Sequence, residues 1–468
     1  MTSPNHYDTI SIGSGEAGKY VCWNRSSTLG VKTAVIEHKW LGGSCPNIAC
    51  LPSKNFIFSA DVVHQAQKYA ATGLLKVGDI AVNMAAVLER KRGMVKGLIE
   101  MHEGVFAGSG AELILGHGRL LGENRVEVEL KDGGKRVLTA DNIIICTGSR
   151  ARVDDTRGLK EAKPLTHIEI LELSEVPRHL IILGGGYVGM EFAQAFRRFG
   201  AAVTVVERNA RILRNEDEDV SDALVELLKG EGVNFLTSFT LSNVSGTSGE
   251  SVDLSGAHNG ESMEISGSDL LVASGRLPNV EDTGLEAAGV ELTAAGHVKV
   301  NEFLQTSVPG IFAVGDCAGS PHFTHIGFDD FRIVRDFLLT KQPLRSTTDR
   351  QVPYTLYTSP ELARVGLSES AARKAGIQYR LAKLPMAAFL RTRTMDTTQG
   401  FAKALVSASD DTILGFTALG PKAGELLPVV QLAMSAGLPY TSIAGLIVTH
   451  PTLNEGLVSL FANVPARP

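Results

Sequence analysis

Cys45 and Cys50 lie close together in "WLGGSCPNIACLPSKN", behind a Gly-Gly pair and ahead of Pro52-Ser53-Lys54. Their spacing is too wide for a CxxC redox loop, and no second pair follows to complete a zinc site. No metal centre is therefore expected. The chain has five cysteines in 468 residues, an odd number that makes no secreted disulfide framework. In a reducing, cytoplasmic setting a disulfide is more readily catalytic than structural. Three other groups carry chemistry-bearing types in suggestive places: Lys54 with Glu191, Asp316 after the strand "IFAVG", and His450 with Glu455 in "VTHPTLNEGL".

Two copies of one positioning device surround these residues. "YDTISIG" reads as a buried strand running into Gly13-Ser-Gly15-Glu-Ala-Gly18, a helix, and a second strand ending at Glu37. This is the dinucleotide fingerprint in its required context. Gly13 permits the turn, Gly15 lets the backbone approach a pyrophosphate, and Gly18 lets helix and strand pack. The helix N-terminus faces the phosphates, and Glu37 stands where a carboxylate meets ribose hydroxyls. The device recurs as Gly184-Gly-Gly186-Tyr-Val-Gly189, a helix, and a strand ending at Glu207. "NIIICTGSR", holding Thr147 and Gly148, and "LLVASGRLPN", holding Gly275, are strands with small-residue turns where the chain crosses between two nested units.

The expected fold is α/β, with two Rossmann-like dinucleotide-binding domains, one inserted in the other, and a C-terminal α+β dimerisation domain. The flavin domain takes residues 1–150 and 270–344, the nicotinamide domain 151–269, and the interface domain 345–468. The Gly/Ser-rich run before residue 268 reads as hairpin turns. With 44% hydrophobic and 21% charged residues and a net charge of -6, nothing points to a nucleic-acid or membrane partner. No apolar run approaches a membrane span, and the N-terminus has no signal-peptide pattern.

This combination resembles the two-dinucleotide disulfide oxidoreductases, the flavoenzyme family of glutathione reductase, dihydrolipoyl dehydrogenase and mercuric reductase. Its redox loop, usually GGTCxNxGCxPSK, stands here as GGSCPNIACLPSK, with Ser44 and Ala49 departing from the usual Thr and Gly. The Ala49 methyl would lie close to the flavin. The resemblance implies FAD, NADH or NADPH, and a Cys45–Cys50 disulfide just before a Pro-started helix whose N-terminus lowers the thiol pKa. By analogy Cys45 is the interchange thiol and Cys50 faces the flavin. Lys54 reaches the flavin and is held by Glu191, Tyr187 gates the nicotinamide pocket, and Asp316 binds the ribityl chain. His450, oriented by Glu455, is a base supplied by the partner subunit, so the enzyme is a homodimer with shared sites.

Each assignment has a plainer competitor. Cys22, Cys146 and Cys317 read as small core residues. Lys54 and Glu191 are also types that decorate solvated helices. Asp316 is a natural helix N-cap, and Thr452 to Glu455 fits a capping box. Glu207 favours NADH, whereas Arg208 and Arg211 would suit NADPH; the balance falls to NADH. Arg391 and Arg393 could steer an anionic substrate or simply be solvated. The tail lacks the vicinal cysteines of mercuric reductases. The segments "SPHFTHIGFDDFRI" and "LPMAAFLRTRTM" resemble a mercuric-reductase-like branch that includes a Cu(II) reductase. The acceptor is a thiophilic metal ion or a small disulfide; dihydrolipoyl dehydrogenase and a flavoprotein binding scaffold remain alternatives. A single-cysteine NADH oxidase does not fit the pair.

Overall fold

The computed structural model describes residues 5–340, 342, 344–348 and 350–467. Its first sheet is built on His6–Ile12, which runs parallel to Thr33–Glu37 on one side and Lys135–Ile145 on the other. Glu112–Gly122 extends that sheet and turns into an antiparallel meander through Arg125–Leu130 to Lys135–Ile145. Ile311–Ala313 returns late in the chain to pair with Lys135–Ile145. Thr33–Glu37 is buried along its whole length, as a strand covered on both faces must be, whereas the meander strands alternate between buried and exposed residues. Helix α1 (Glu16–Leu29) follows the first strand and stops at Gly30, which takes the left-handed φ of 67° that side chains disfavour. Helix α2 (Ser44–Asn47) and helix α3 (Cys50–Ala71) carry the two cysteines, and α4 (Met84–Ser109) packs along them.

The inserted sheet is wholly parallel, in the order Asp269–Val272, His179–Leu183, Ala202–Val206 and Val233–Leu236. Helices α5 (Tyr187–Phe199) and α6 (Glu218–Gly230) belong to it. The Gly/Ser-rich run forms the expected hairpins, Phe239–Thr247, Ser251–His258 and Glu261–Gly267. The strand Asp269–Val272 is a member of this second sheet, so the unit does not end at residue 269. Hydrogen bonding to His179–Leu183 carries it to Ala273, and the crossing follows. There Ser149–Ala151 and Arg276–Pro278 pair as a two-stranded ribbon.

After the four-residue helix α7 (Leu285–Ala288) and the longer α8 (Thr324–Thr340), a five-stranded antiparallel sheet opens the last unit. Its order is Tyr354–Leu356, Glu361–Gly366, Ile413–Gly420, Phe401–Ser407 and Tyr379–Pro385. An aromatic cluster and a buried ammonium are among the contacts that fix the units together. Phe56 of α3 packs on Phe196 and Phe199 of α5 at ring distances of 5.2 and 5.1 Å. Lys403, fully buried on the last sheet, reaches Asp217 and Asp219 at 2.8 Å and Glu369 at 2.9 Å. The three carboxylates could by type hold a cation, and here the ammonium serves as that cation. Burial pushes the Asp217 pKa up, but Lys403 and the Ser370 and Glu369 N–H groups outweigh it and hold the carboxyl well below the usual range, at about 2. Lys403→Met would strand three acids around an apolar side chain, so we expect a loss of about 3–5 kcal/mol of unfolding free energy in urea titration; a change under 1 kcal/mol would contradict it.

Candidate active site

Both glycine loops form for the same steric reason. Gly13 has a φ of 100°, and a Cβ there would lie 2.2 Å from the Cys146 carbonyl oxygen; Gly184, at 112°, would meet the Ala273 carbonyl oxygen at 2.6 Å. The helices that follow are capped by Gly15 and Gly186 with no side-chain bond, which leaves first-turn N–H groups for an anion. Gly18 and Gly189 admit the close strand contact, since a Cβ would lie 2.1 Å from Ser11 Oγ and Gly184 O respectively. The two terminal acids are held alike. Glu37 accepts from Ser14, Lys39 and Trp40, and Glu207 accepts from Gly185 and Asn209. A Cβ would meet nothing within 4 Å at Gly148, Gly186, Gly275 or Gly315, so the crossing turns border open space. Two uncapped helix ends, two fixed acids and open glycine turns fit two bound dinucleotides.

At the crossing, Thr147 donates to the Asn279 carbonyl at 2.6 Å. Asp316 is not a helix cap. It sits inside the short turn Gly315–Ala318, capped by Val314. Ser149, which donates to it, and Arg276, 3.7 Å away, draw its carboxylate to the crossing ribbon instead.

The redox loop differs from expectation in one respect. Helix α3 starts at Cys50, not at Pro52, because proline is tolerated in a first turn whose N–H groups lack helical partners anyway. Cys50 therefore stands at a positive helix end. Ala49 caps the helix at a φ of -129°, so this position does not call for a left-handed glycine. The structure shows the pair in its dithiol form. Cys45 is pushed up, first by its hydrogen bond to Cys50 and then by burial. Cys50 is drawn below the ordinary thiol value by that same bond; burial opposes, and Thr324 and Lys54 assist. Thr324 Oγ1 lies 3.1 Å from Cys50 Sγ.

Lys54 donates to Glu191 at 2.7 Å and lies 4.9 Å from the Tyr357 ring centroid. Burial pulls its pKa down, but Glu191, Cys50 and Tyr357 together raise it, so it stays charged. Glu191 is buried and also accepts from the Tyr357 N–H at 2.9 Å. Neither residue is a solvated helix charge. Tyr187 opens α5, with its hydroxyl 3.1 Å from Glu216. Arg208 is exposed, and Arg211 is tied to Asp222 and Glu218.

His450 and Glu455 form a dyad, with Nδ1 3.0 Å from both carboxylate oxygens. Thr452 accepts the Glu455 N–H at 3.3 Å, but Asn454 takes the cap position and the Glu455 carboxylate turns to His450, so the capping box is left half made. Among the described residues no hydrogen bond or ion pair joins His450 to either cysteine of its own chain. Arg391 lines a cavity of about 570 Å³ with Lys422, Glu425 and Pro451 to Asn454; Arg393 instead donates to the Ala387 carbonyl. Cys22, Cys146 and Cys317 are buried thiols, all pushed up by burial.

Sequence reasoning missed Thr324 and Lys19. Lys19, buried, donates to the Gly42 carbonyl at 2.9 Å and pairs with Glu16 at 2.8 Å, tying the redox loop to α1. The only signal for it was a lysine inside an otherwise packed fingerprint helix.

Residues 7–330 match the family model described as pyridine nucleotide-disulphide oxidoreductase, and residues 352–461 match its dimerisation domain. The chain belongs to the pyridine nucleotide-disulphide oxidoreductases. It is 33% identical over 96% of its length to dihydrolipoyl dehydrogenase 1, mitochondrial, of Arabidopsis thaliana, covering 89% of that protein. It is 32% identical to dihydrolipoyl dehydrogenase of Mycobacterium bovis, over 97% of each. Among solved structures it is similar to the Cu(II) complex of the HOCl-induced flavoprotein disulfide reductase RclA from Escherichia coli. That likeness has a TM-score of 0.89 and 32% identity, over 98% of this chain and all of that one. This oxidoreductase is accordingly an FAD-dependent enzyme that uses NADH or NADPH and carries a redox disulfide. Among the described residues no helix is long and apolar enough to cross a membrane.

In the reduced oxidoreductase we expect one thiolate, at Cys50, to titrate below the ordinary thiol value of about 8.5. It forms as pH rises through that lowered value and is lost as pH falls. Thiolate ultraviolet absorbance checks this: Lys54→Met should move the midpoint up, and Cys50→Ser should abolish it. A midpoint at or above the ordinary value would overturn the assignment.

Proposed function

We propose that this enzyme takes electrons from NADH and passes them through the Cys45–Cys50 pair to a thiophilic metal ion, Cu(II) or Hg(II), or to a small disulfide. The observation that carries this is the placement of Cys50 in the first turn of α3, 3.1 Å from the Thr324 hydroxyl, where Cys45, Thr324 and Lys54 draw its pKa below the ordinary thiol value. A thiol beside a thiolate is a soft, chelating pair suited to such ions. The Cu(II) complex of RclA supports it. Glu207 and an Arg211 already paired with acids support NADH over NADPH.

In this reading Gly13, Gly15, Gly18, Glu37, Thr147, Gly148 and Asp316 hold FAD. Gly184, Gly186, Tyr187, Gly189, Glu207, Arg208 and Gly275 face the nicotinamide. Bound FAD supplies the two-electron relay between nicotinamide and disulfide. NADH reduces the disulfide to one thiol, at Cys45, and one thiolate, at Cys50, and leaves NAD+. Cys50 keeps its negative charge against Lys54, which Glu191 holds, and Cys45 meets the acceptor. Two Cu(II) ions leave as Cu(I), one Hg(II) as Hg(0), or one disulfide as two thiols. His450, oriented by Glu455, moves the proton at the Cys45 sulfur of a second subunit.

A second reading, dihydrolipoyl dehydrogenase, is favoured by the His450–Glu455 dyad and the curated relatives. A binding scaffold is the third. Anaerobic NADH and NADPH consumption by FAD-loaded protein, with Cu(II), Hg(II) or oxidised lipoamide, separates them. We expect metal-dependent turnover, faster with NADH, that Cys45→Ser abolishes while flavin reduction persists. Fast turnover on lipoamide alone would sink the metal reading, and no turnover with any acceptor would favour the scaffold. Where a disulfide is the acceptor, His450→Gln should slow turnover by about 10²–10⁴-fold; an unchanged rate would remove His450 from the site.

A further inference from the structure

Glu216 lies just before α6 and its side chain is only 1% exposed. It is the centre of a cluster drawn from three parts of the chain. The Tyr187 hydroxyl donates to Oε1 at 3.1 Å from the start of α5. Arg364 donates through Nε to Oε2 at 3.1 Å and approaches Oε1 at 3.4 Å. The Tyr354 hydroxyl donates to Oε1 and itself accepts from Arg364 at 2.8 Å. Tyr187 and Tyr354 rings lie 5.2 Å apart, and Phe323 stacks on Tyr354 at 5.8 Å with an interplanar angle of 4°. The residue after Phe323 is Thr324, the neighbour of Cys50.

The partners are not equivalent. Arg364 and Tyr354 satisfy the buried carboxylate between them, in charge and in hydrogen bonds. The Tyr187 bond is the one that can break without leaving Glu216 unpaired. Tyr187 is also the residue next to Gly186, where the loop borders open space at the mouth of the second dinucleotide cradle. A phenol there has two places to be: docked on Tyr354 with its hydroxyl on Glu216, or turned away from a cofactor that enters.

We propose that Glu216 is a positioning residue that latches the Tyr187 ring at the mouth of the nicotinamide site, so that dinucleotide binding must break the Tyr187–Glu216 bond. Arg364 and Tyr354 give the latch a rigid mount on the interface domain. The proposal rests on the NADH-dependent reaction above. Tyr187→Phe removes one hydroxyl and keeps the ring. A bond to a charged acceptor no longer opposes entry, so the Kd for dinucleotide should fall about five- to tenfold.

The test uses FAD-loaded protein and two measurements: NAD+ binding by calorimetry, and anaerobic stopped-flow reduction of the flavin by NADH. In Tyr187→Phe both apparent Kd values should fall, by more than the limiting reduction rate changes. Glu216→Gln should shift Kd in the same direction, and the double variant should bind no tighter than Tyr187→Phe alone. If Glu216→Gln does not fold, Tyr187→Phe decides by itself. An unchanged or weaker Kd in Tyr187→Phe, whether or not its thermal midpoint drops, leaves Glu216 a structural residue only and overturns the latch. Wild-type protein that neither binds NAD+ nor is reduced by NADH overturns the proposed reaction, and the latch with it.

Discussion

The ion pair between Lys54 and Glu191, 2.7 Å long, joins the helix that carries Cys50 to the helix that opens the second glycine fingerprint. Burial penalises the Lys54 charge, and the Glu191 carboxylate, with Cys50 and Tyr357, outweighs that cost and keeps the lysine protonated. The aromatic cluster of Phe56, Phe196 and Phe199 supplies the packing that keeps the two helices in register one turn away. Remove this junction and the flavin-side loop and the nicotinamide-side loop lose their common frame.

The charge at Cys50 depends on that frame. A helix end, a threonine hydroxyl, a lysine ammonium and a second thiol all converge on one sulfur, and all four favour its anion. Burial works against them and is outweighed. Cys45 is pushed the other way by the same hydrogen bond. Two thiols with one proton displaced toward Cys45 make a nucleophile and a donor side by side, which is what exchange with a disulfide or capture of a soft ion requires. Lys19 holds the far side of the same loop through Gly42, so the loop is tied at both ends.

The last unit acts on this centre through acids. The run from Glu216 to Asp219 sends Glu216 to Tyr187, Tyr354 and Arg364, and sends Asp217 and Asp219 to Lys403. One short stretch thus fixes the inserted unit to the interface sheet from two sides. The His450–Glu455 dyad belongs to that interface unit, with Nδ1 3.0 Å from both carboxylate oxygens.

What the sequence determined by itself was local. Each glycine fingerprint needs a few neighbouring residues and a strand and helix on either side, so short-range sterics identified both, together with Glu37, Glu207 and the cysteine loop. The Lys54–Glu191 and His450–Glu455 pairs were legible because the resemblance rests on short motifs whose reactive residues are all present, Ser44 and Ala49 notwithstanding. Tertiary structure alone decided the rest. Thr324 meets Cys50 from 274 residues away, and Tyr354 and Arg364 reach Glu216 from another unit. No spacing rule announces such contacts. Asp316 looked like a cap and became a partner of Ser149, because donors from a distant ribbon outbid the local backbone. The strand at Asp269 stayed with the second sheet for the same reason: pairing across a sheet is a long-range choice, whereas a turn is a short-range one.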